Sequence, residues 1–182
     1  MIHIFKHWLL GLAGLLLVTL PLGGALAAAP KTLKVTKSVT IQAEPAAVWS
    51  RVKNFDNLHS WHPGFSGAEI VKGKNNQPGA VRKLTLKGGP SFTEELLKYD
   101  DAKRTMRYRI IESPLPIDAY ESTIEVKAGS AKGTVEITWE GTFKRKHLEP
   151  KAGETDEDVT KLINGVYDAG LGNLKKMVEK TN

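Results

Sequence analysis

The sequence predicts an α+β fold in which a curved antiparallel sheet of about seven strands wraps around one long C-terminal helix. Two patterns carry this prediction. From Asp156 to Glu179, apolar residues recur at helical spacing. Most of the preceding chain instead alternates between apolar and polar residues, which is typical of strands with one wet face. A single amphipathic helix must bury its apolar side, and the inner face of the sheet is the large apolar surface available to it.

The fold is expected to begin with one strand and two short helices. Leu33–Ile41 alternates and predicts a half-buried strand. A short helix is predicted over Ala43–Asn54, where Pro45 is tolerated in the first turn. A second short helical piece is predicted over Asp56–Trp61, and Pro63 ends it because proline disrupts a helix interior.

The middle of the chain predicts strands in hairpin succession, because alternating runs are separated by turn-forming residues. These predicted strands are Gly67–Lys72, Ala80–Lys87, Ser91–Tyr99, Thr105–Glu112, Tyr120–Lys127 and Gly133–Lys146. The last two alternate most clearly: Tyr120 and Ser122 share one face, and Trp139 and Phe143 share a face of the final strand. We expect these faces to be buried.

The first residues of the chain predict a secretory signal peptide. A short segment with one basic residue, Lys6, precedes the apolar run Leu9–Leu22, and Gly23–Gly24 then breaks any helix. Ala25–Ala27 has the small-x-small pattern of a cleavage site. The apolar run has about 14 residues, fewer than the roughly 20 needed to span a bilayer. An uncleaved N-terminal anchor is the alternative interpretation.

Cleavage divides the chain into a leader, residues 1–27, and one exported domain, residues 28–182, which is large enough for a single hydrophobic core. The chain contains no cysteine, which excludes a lipoprotein anchor, disulfides, thiol catalysis and cysteine-based metal sites. Its net charge of +6 comes from basic residues interleaved with acidic ones. We therefore expect no nucleic-acid partner and no permanent membrane anchor, while the basic excess fits an acidic protein or anionic headgroups.

Four segments in order carry a resemblance to a known superfamily. They are Val39–Val52 (VTIQAEPAAVWSRV), Phe55–Pro63 (FDNLHSWHP), Gly79–Leu86 (GAVRKLTL), and Glu94–Asp100 (EELLKYD) with Tyr108–Ile110. Together they resemble the SRPBCC superfamily of START, Bet v 1 and polyketide-cyclase-like domains, although Glu95 stands where Arg is common. The resemblance spans Leu33–Lys180 and implies a helix-grip fold with an apolar cavity between sheet and helix.

The leader together with the WHP element resembles the MxaD-like accessory proteins of periplasmic methanol oxidation. That resemblance implies an exported, non-enzymatic binding or accessory protein that assists an alcohol dehydrogenase and its cytochrome c. Its implied partners are an acidic periplasmic redox protein and a hydrophobic small molecule. Two other functions stay open: a carrier of a lipid or other hydrophobic small molecule, and a polyketide cyclase/dehydratase-like enzyme. The fold alone does not decide among them.

Catalysis is left open, with a non-enzymatic role favoured. The sequence contains no nucleophile motif and no Gly-rich phosphate loop, so no residue is assigned as catalytic and no cofactor is expected. His59 and His62 lie three residues apart, but no third ligand accompanies them, so we expect no metal site. Beside Trp61, His62 either lines a cavity mouth or orders the turn before Pro63.

Arg82 and Glu94 are expected to form a buried ion pair. Arg82 is in phase with Leu84, and Glu94 is in phase with Phe92 on the next strand, so both side chains should point inward. One interpretation makes the pair a polar anchor at the floor of a ligand cavity. The other makes it a structural pair that fixes strand register, and the two are compatible.

Aromatic side chains at strand spacing complete the set of candidates. Such residues form plain core more often than ligand walls, but a helix on a strongly curved sheet tends to leave a space beneath it. The candidate cavity residues are Trp61, His62, Arg82, Leu84, Glu94, Tyr108, Tyr120, Trp139, Phe143 and Tyr167.

Overall fold

The computed structural model describes residues 29–180 as a seven-stranded sheet, two α-helices and one 3₁₀ helix. The predicted leader, residues 1–27, lies outside the described residues. In chain order the elements are β1 (Leu33–Gln42), α1 (Pro45–Val52), the 3₁₀ helix (Phe55–Ser60), β2 (Phe65–Lys72), β3 (Val81–Leu86), β4 (Ser91–Asp100), β5 (Thr105–Glu112), β6 (Ile117–Ala128), β7 (Thr134–Arg145) and α2 (Asp156–Glu179).

The sheet is antiparallel throughout, with strand order β1-β7-β6-β5-β4-β3-β2. Strands β1 and β2 therefore lie at opposite edges, and the two short helices between them connect one edge to the other. Helix α2 packs on the inner face, against β1 and β7. This arrangement confirms the predicted helix-grip fold.

Helix α2 has the bounds that its apolar periodicity predicts. A capping box holds its start: the Asp158 N–H donates to Oγ1 of Thr155 at 3.2 Å, and the Thr155 N–H donates to the Asp158 carboxylate at 3.1 Å. Three acidic residues in the first turn also suit the positive end of the helix dipole. Within residues 29–180, no helix combines the length and apolarity required to cross a membrane.

The short helices differ in detail from the prediction. Helix α1 begins only at Pro45, which occupies the first helical turn. The second piece is a 3₁₀ helix interrupted at Asn57, where φ is −120°. Side chains from the β2–β3 loop hold it in place, because Oδ1 of Asn76 accepts the Phe55 N–H at 2.9 Å and Oδ1 of Asn75 accepts the next N–H along the chain at 3.3 Å. These tertiary contacts thus cap the first N–H groups of the piece, which have no partner within the helix.

Candidate functional site

A mainly apolar cavity of about 130 Å³ lies between the inner face of the sheet and the first half of α2. Helix α2 contributes Leu162, Ile163 and Val166 to its wall. The sheet contributes Glu94, Tyr108, Tyr120 and Trp139. Further apolar lining comes from Leu58, Phe65, Leu86, Phe92, Ile110, Leu115 and Ile117. Among residues 29–180, Glu94 is the one charged side chain that lines this wall.

The ten residues predicted from the sequence are divided between the wall and the core behind it. The cavity wall includes Glu94, Tyr108, Tyr120 and Trp139. The other six are buried but do not form part of the wall: Trp61, His62, Arg82, Leu84, Phe143 and Tyr167. Strand alternation identifies the inward face, but it does not say which inward side chains meet a void and which meet a neighbour.

Arg82 and Glu94 form the predicted buried ion pair, with 2% and 4% of their surfaces exposed. Both Nε and Nη2 of Arg82 donate to Oε2 of Glu94, at 2.7 and 2.5 Å. Nη1 donates to the Phe55 carbonyl at 2.6 Å. The guanidinium carbon also lies 4.1 Å from the centre of the Phe55 ring and 4.9 Å from that of Tyr108. Arg82 thus lies behind Glu94, as seen from the cavity.

The geometry of the pair is compatible with both interpretations that the sequence left open. Arg82 and Glu94 are directly opposite each other in the β3–β4 register, so the pair links the two strands. Glu94 also lines the cavity. Burial raises the pKa of the Glu94 carboxyl, while the charge and hydrogen bonds of Arg82 oppose this rise.

A network of hydroxyl groups lies beside the cavity. Nε1 of Trp139 donates to the hydroxyls of Tyr108 and Ser122, both at 2.9 Å. The Tyr167 hydroxyl lies 2.8 Å from that of Tyr120 and 3.0 Å from Oγ of Ser122. Burial raises the pKa of Tyr167 to about 12 and raises the pKa values of Tyr108 and Tyr120 as well, so these phenols stay protonated at neutral pH.

Two members of this region were not among the candidates. Ser122 joins two aromatic side chains, those of Trp139 and Tyr167, and also donates to the Glu140 carbonyl. The available signal was a polar residue on an otherwise apolar strand face. The second is Gly141. It allows the Tyr167 hydroxyl to approach the strand, since a Cβ atom at this position would collide with that hydroxyl. A glycine in the middle of a strand marks such a close approach, and this signal was present between Trp139 and Phe143.

Both ring nitrogens of His62 form hydrogen bonds to the backbone. Nδ1 accepts the Gly64 N–H at 3.0 Å, so Nε2 carries the proton and donates to the Val166 carbonyl at 2.8 Å. Burial lowers the pKa of His62, which favours the neutral ring. His62 does not line the cavity. Its ring orders a turn, as the second interpretation predicted, but the bond to Gly64 places that turn around Pro63 rather than before it. His59 is exposed, and residues 29–180 contain no cluster of three or more potential metal ligands.

Trp61 lies between the 3₁₀ helix and α2. Its ring centre is 5.6 Å from that of Trp139, and its carbonyl accepts a hydrogen bond from Nδ2 of Asn173 at 2.9 Å. Leu84 and Phe143 are fully buried in the core, and the ring centre of Phe143 lies 6.4 Å from that of Tyr120. These residues support the wall without forming it.

Comparison with known proteins agrees with this architecture. Residues 32–179 match the family model for polyketide cyclase/dehydrase and lipid transport proteins. The abscisic acid receptor PYL10 of Arabidopsis thaliana is 27% identical over 143 residues, which cover 77% of this chain and 76% of the receptor.

Solved structures give the same result. XoxI from Bacillus cereus is 30% identical with a TM-score of 0.71, and the match covers 80% of this chain and 94% of XoxI. An uncharacterised Bacillus thuringiensis protein is 29% identical, also with a TM-score of 0.71, over 80% of this chain and 98% of its own. A Nitrosospira multiformis protein is 26% identical with a TM-score of 0.66, over 79% and 94% of the two chains.

Proposed function

The chain belongs to the polyketide cyclase/dehydrase and lipid transport family of the SRPBCC superfamily, and from that premise we propose that it is a non-catalytic binding protein for a small apolar molecule. The family match and the receptor relative support a ligand-binding domain. The observation that carries the proposal is the apolar cavity of about 130 Å³ inside an otherwise packed core. Protein interiors are usually filled to crystal-like density, so a void of this size is a departure from ordinary packing.

The volume and the lining indicate what kind of occupant fits. An engineered apolar cavity of about 150 Å³ in another protein stays dry and binds benzene. A ring-sized molecule therefore suits this cavity better than a lipid with long acyl chains. The polar groups of the wall are held in place by Arg82, Ser122 and Tyr167, which favours binding over proton transfer.

Titration with toluene tests the proposal. We expect methyl NMR signals of Leu162, Ile163 and Val166 to shift and saturate, because these residues line the cavity. Since only the folded protein should bind, toluene at 100 times its Kd should stabilise the fold by about 2.7 kcal/mol.

A pair of matched substitutions locates the binding. Leu115→Trp places a large side chain at the cavity wall and should abolish toluene binding. Leu148→Trp makes the same change at an exposed position outside the wall and should leave it intact. If toluene does not saturate any site, or if both variants bind it equally well, the proposal is wrong.

As a finer role, we propose that the protein is exported and assists a periplasmic alcohol dehydrogenase and its cytochrome c. The predicted leader, the MxaD-like resemblance and the net charge of +6 support this role, because a basic surface suits an acidic partner. The test is the rate of cytochrome c reduction by methanol dehydrogenase with and without the protein. We expect a faster rate that declines as salt screens the attraction; equal rates would contradict it.

Export has its own test. The protein recovered from the periplasmic fraction should begin near residue 28 when its N-terminus is sequenced. Retention of the whole chain in the cytoplasm would contradict the export proposal. That result would leave the cavity-binding proposal unaffected.

A further inference from the structure

We propose that the cavity selects uncharged, ring-sized molecules that carry a hydrogen-bond donor, such as a phenol, and rejects carboxylates and ammonium ions of the same size. This inference rests on the proposed binding function and adds the chemical class of the ligand. It depends on how Glu94 is placed and on which of its oxygens is already bonded.

Glu94 uses one oxygen for its ion pair and leaves the other free. Both hydrogen bonds from Arg82 end on Oε2. Oε1 accepts no hydrogen bond from any side chain or backbone group that the structure describes. The Glu94 side chain lines the cavity, whereas Arg82 does not. The carboxylate therefore offers a cavity occupant a strong acceptor and no donor.

The other polar groups of the wall already have hydrogen-bond partners within the protein. Nε1 of Trp139 donates to the hydroxyl of Tyr108, and the hydroxyl of Tyr120 is 2.8 Å from that of Tyr167. The remainder of the wall is apolar. Because Oε1 has no donor among the described residues, an occupant that donates to it gains a hydrogen bond to a charged acceptor that a wholly apolar occupant cannot form.

Charge balance excludes the ionic alternatives. The Arg82–Glu94 pair is neutral as a whole, and both side chains are almost entirely buried. A benzoate would bring a second negative charge beside Glu94, and a benzylammonium would leave a net positive charge in an apolar space. Either ion would lose its hydration without a free counter-charge to replace it.

Four probes of similar size test the selectivity on the unaltered full chain. These are toluene, phenol, benzoate and benzylammonium, each titrated at neutral pH and followed through the methyl signals of the α2 cavity residues. Phenol and toluene differ only by a hydroxyl in place of a methyl group. We expect phenol to bind about tenfold more tightly than toluene, as a hydrogen bond to a charged acceptor implies. The two ions should show no saturable binding.

Two variants assign the effect to Glu94. Arg82→Met combined with Glu94→Leu removes both charges together, which avoids leaving one of them buried alone. In that protein toluene should bind more tightly than phenol. Glu95→Gln is the matched control, because this neighbouring carboxylate pairs with Arg109 and lies outside the cavity wall. It should keep the preference for phenol.

The outcomes separate this inference from the function on which it rests. If toluene binds the unaltered protein as tightly as phenol, or if benzoate binds most tightly, the inference is overturned and the binding function stands. If none of the four probes binds, both are overturned. The comparison on the unaltered protein decides the matter even if the double variant fails to fold.

Discussion

The two halves of helix α2 have different surroundings. The second half is packed tightly, since a Cβ atom on Gly170 would lie 2.5 Å from Cδ2 of His62 and 2.9 Å from Cζ3 of Trp139. The first half lines the cavity with Leu162, Ile163 and Val166. One helix therefore closes one part of the interior and leaves the other part hollow.

This difference between the two halves of α2 shows that the cavity depends on which side chains the helix and the sheet carry locally, not on the fold as a whole. In the second half, a missing side chain on α2 admits the rings of His62 and Trp139. In the first half, branched aliphatic side chains face a wall whose charged member, Glu94, is held back by Arg82. The same sheet supports both arrangements, so substitutions in each half should have distinct effects.

The largest expected effect comes from Arg82→Met, which alters the floor of the hollow half. This change leaves the Glu94 carboxylate buried without its partner, and we expect a loss of about 3–5 kcal/mol in the free energy of unfolding. Chemical denaturation at neutral pH measures it. A loss below about 1 kcal/mol would mean that the pair contributes little to the fold.

The same variant should show a characteristic pH dependence. Without Arg82, burial alone acts on Glu94 and holds its folded-state pKa above the unfolded value. A group of this kind stabilises the fold below its unfolded pKa and loses that contribution as pH rises through the folded pKa. The deficit of Arg82→Met relative to the unaltered protein should therefore narrow on acidification. A deficit that is constant with pH would contradict this explanation.

The next largest effect is expected from Gly170→Ala in the tightly packed half. Alanine normally favours a helix over glycine by about 1 kcal/mol. Here the new methyl group would overlap the rings of His62 and Trp139, and we expect a net loss of about 2 kcal/mol because overpacked cores are strained.

Gly172→Ala provides the matched control on the same helix. A Cβ atom at Gly172 meets nothing within 4 Å, so this variant should gain up to about 1 kcal/mol. If Gly170→Ala also gained stability, the packed half would be looser than its geometry indicates. Thermal or chemical denaturation of the two variants side by side gives the comparison.

A smaller effect should follow from protonation of His62, which joins the two halves through the Val166 carbonyl. Burial lowers the pKa of this ring from its usual 6.5, so its contribution to stability is complete above that pH and is lost as pH falls through the folded pKa. Denaturation measured between pH 7 and about pH 5 should show this loss. In His62→Gln the slope should be shallower; an unchanged slope would assign it to other groups.

The sequence predicted the fold well because its periodic patterns are strong. The bounds of α2 follow from its apolar stripe, and the Arg82–Glu94 pair follows from two strands read in phase. The sequence predicted that β6 begins at Tyr120 rather than Ile117, because the alternation breaks between these two residues. The structure has a bulge between Asp118 and Glu121, and the side chains of Ile117 and Tyr120 on either side of it are both buried.

The site was less predictable for a physical reason. Whether an inward side chain lines a void depends on its neighbours across the interior, and a one-dimensional pattern does not contain them. Tyr120 and Phe143 are both inward and aromatic, yet only Tyr120 lies on the cavity wall. Gly141 and Gly170 lie where the interior is filled, because the rings of other residues occupy the space that their side chains would take. The sequence does not show which rings these are.

The smallest expected effect concerns the bulge that aims Tyr120 at the cavity. Ala119 has a φ of 49°, a left-handed conformation that costs a residue with a Cβ atom about 1 kcal/mol or more. Ala119→Gly relieves this strain but also makes the unfolded chain more flexible, so the net gain in unfolding free energy should be about 0.5 kcal/mol. Ala128→Gly, on the same strand and without a positive φ, should instead lose stability. Equal losses of stability in both variants would show that the bulge stores no strain. The toluene affinity of Ala119→Gly would then report whether the bulge is needed to hold Tyr120 on the cavity wall.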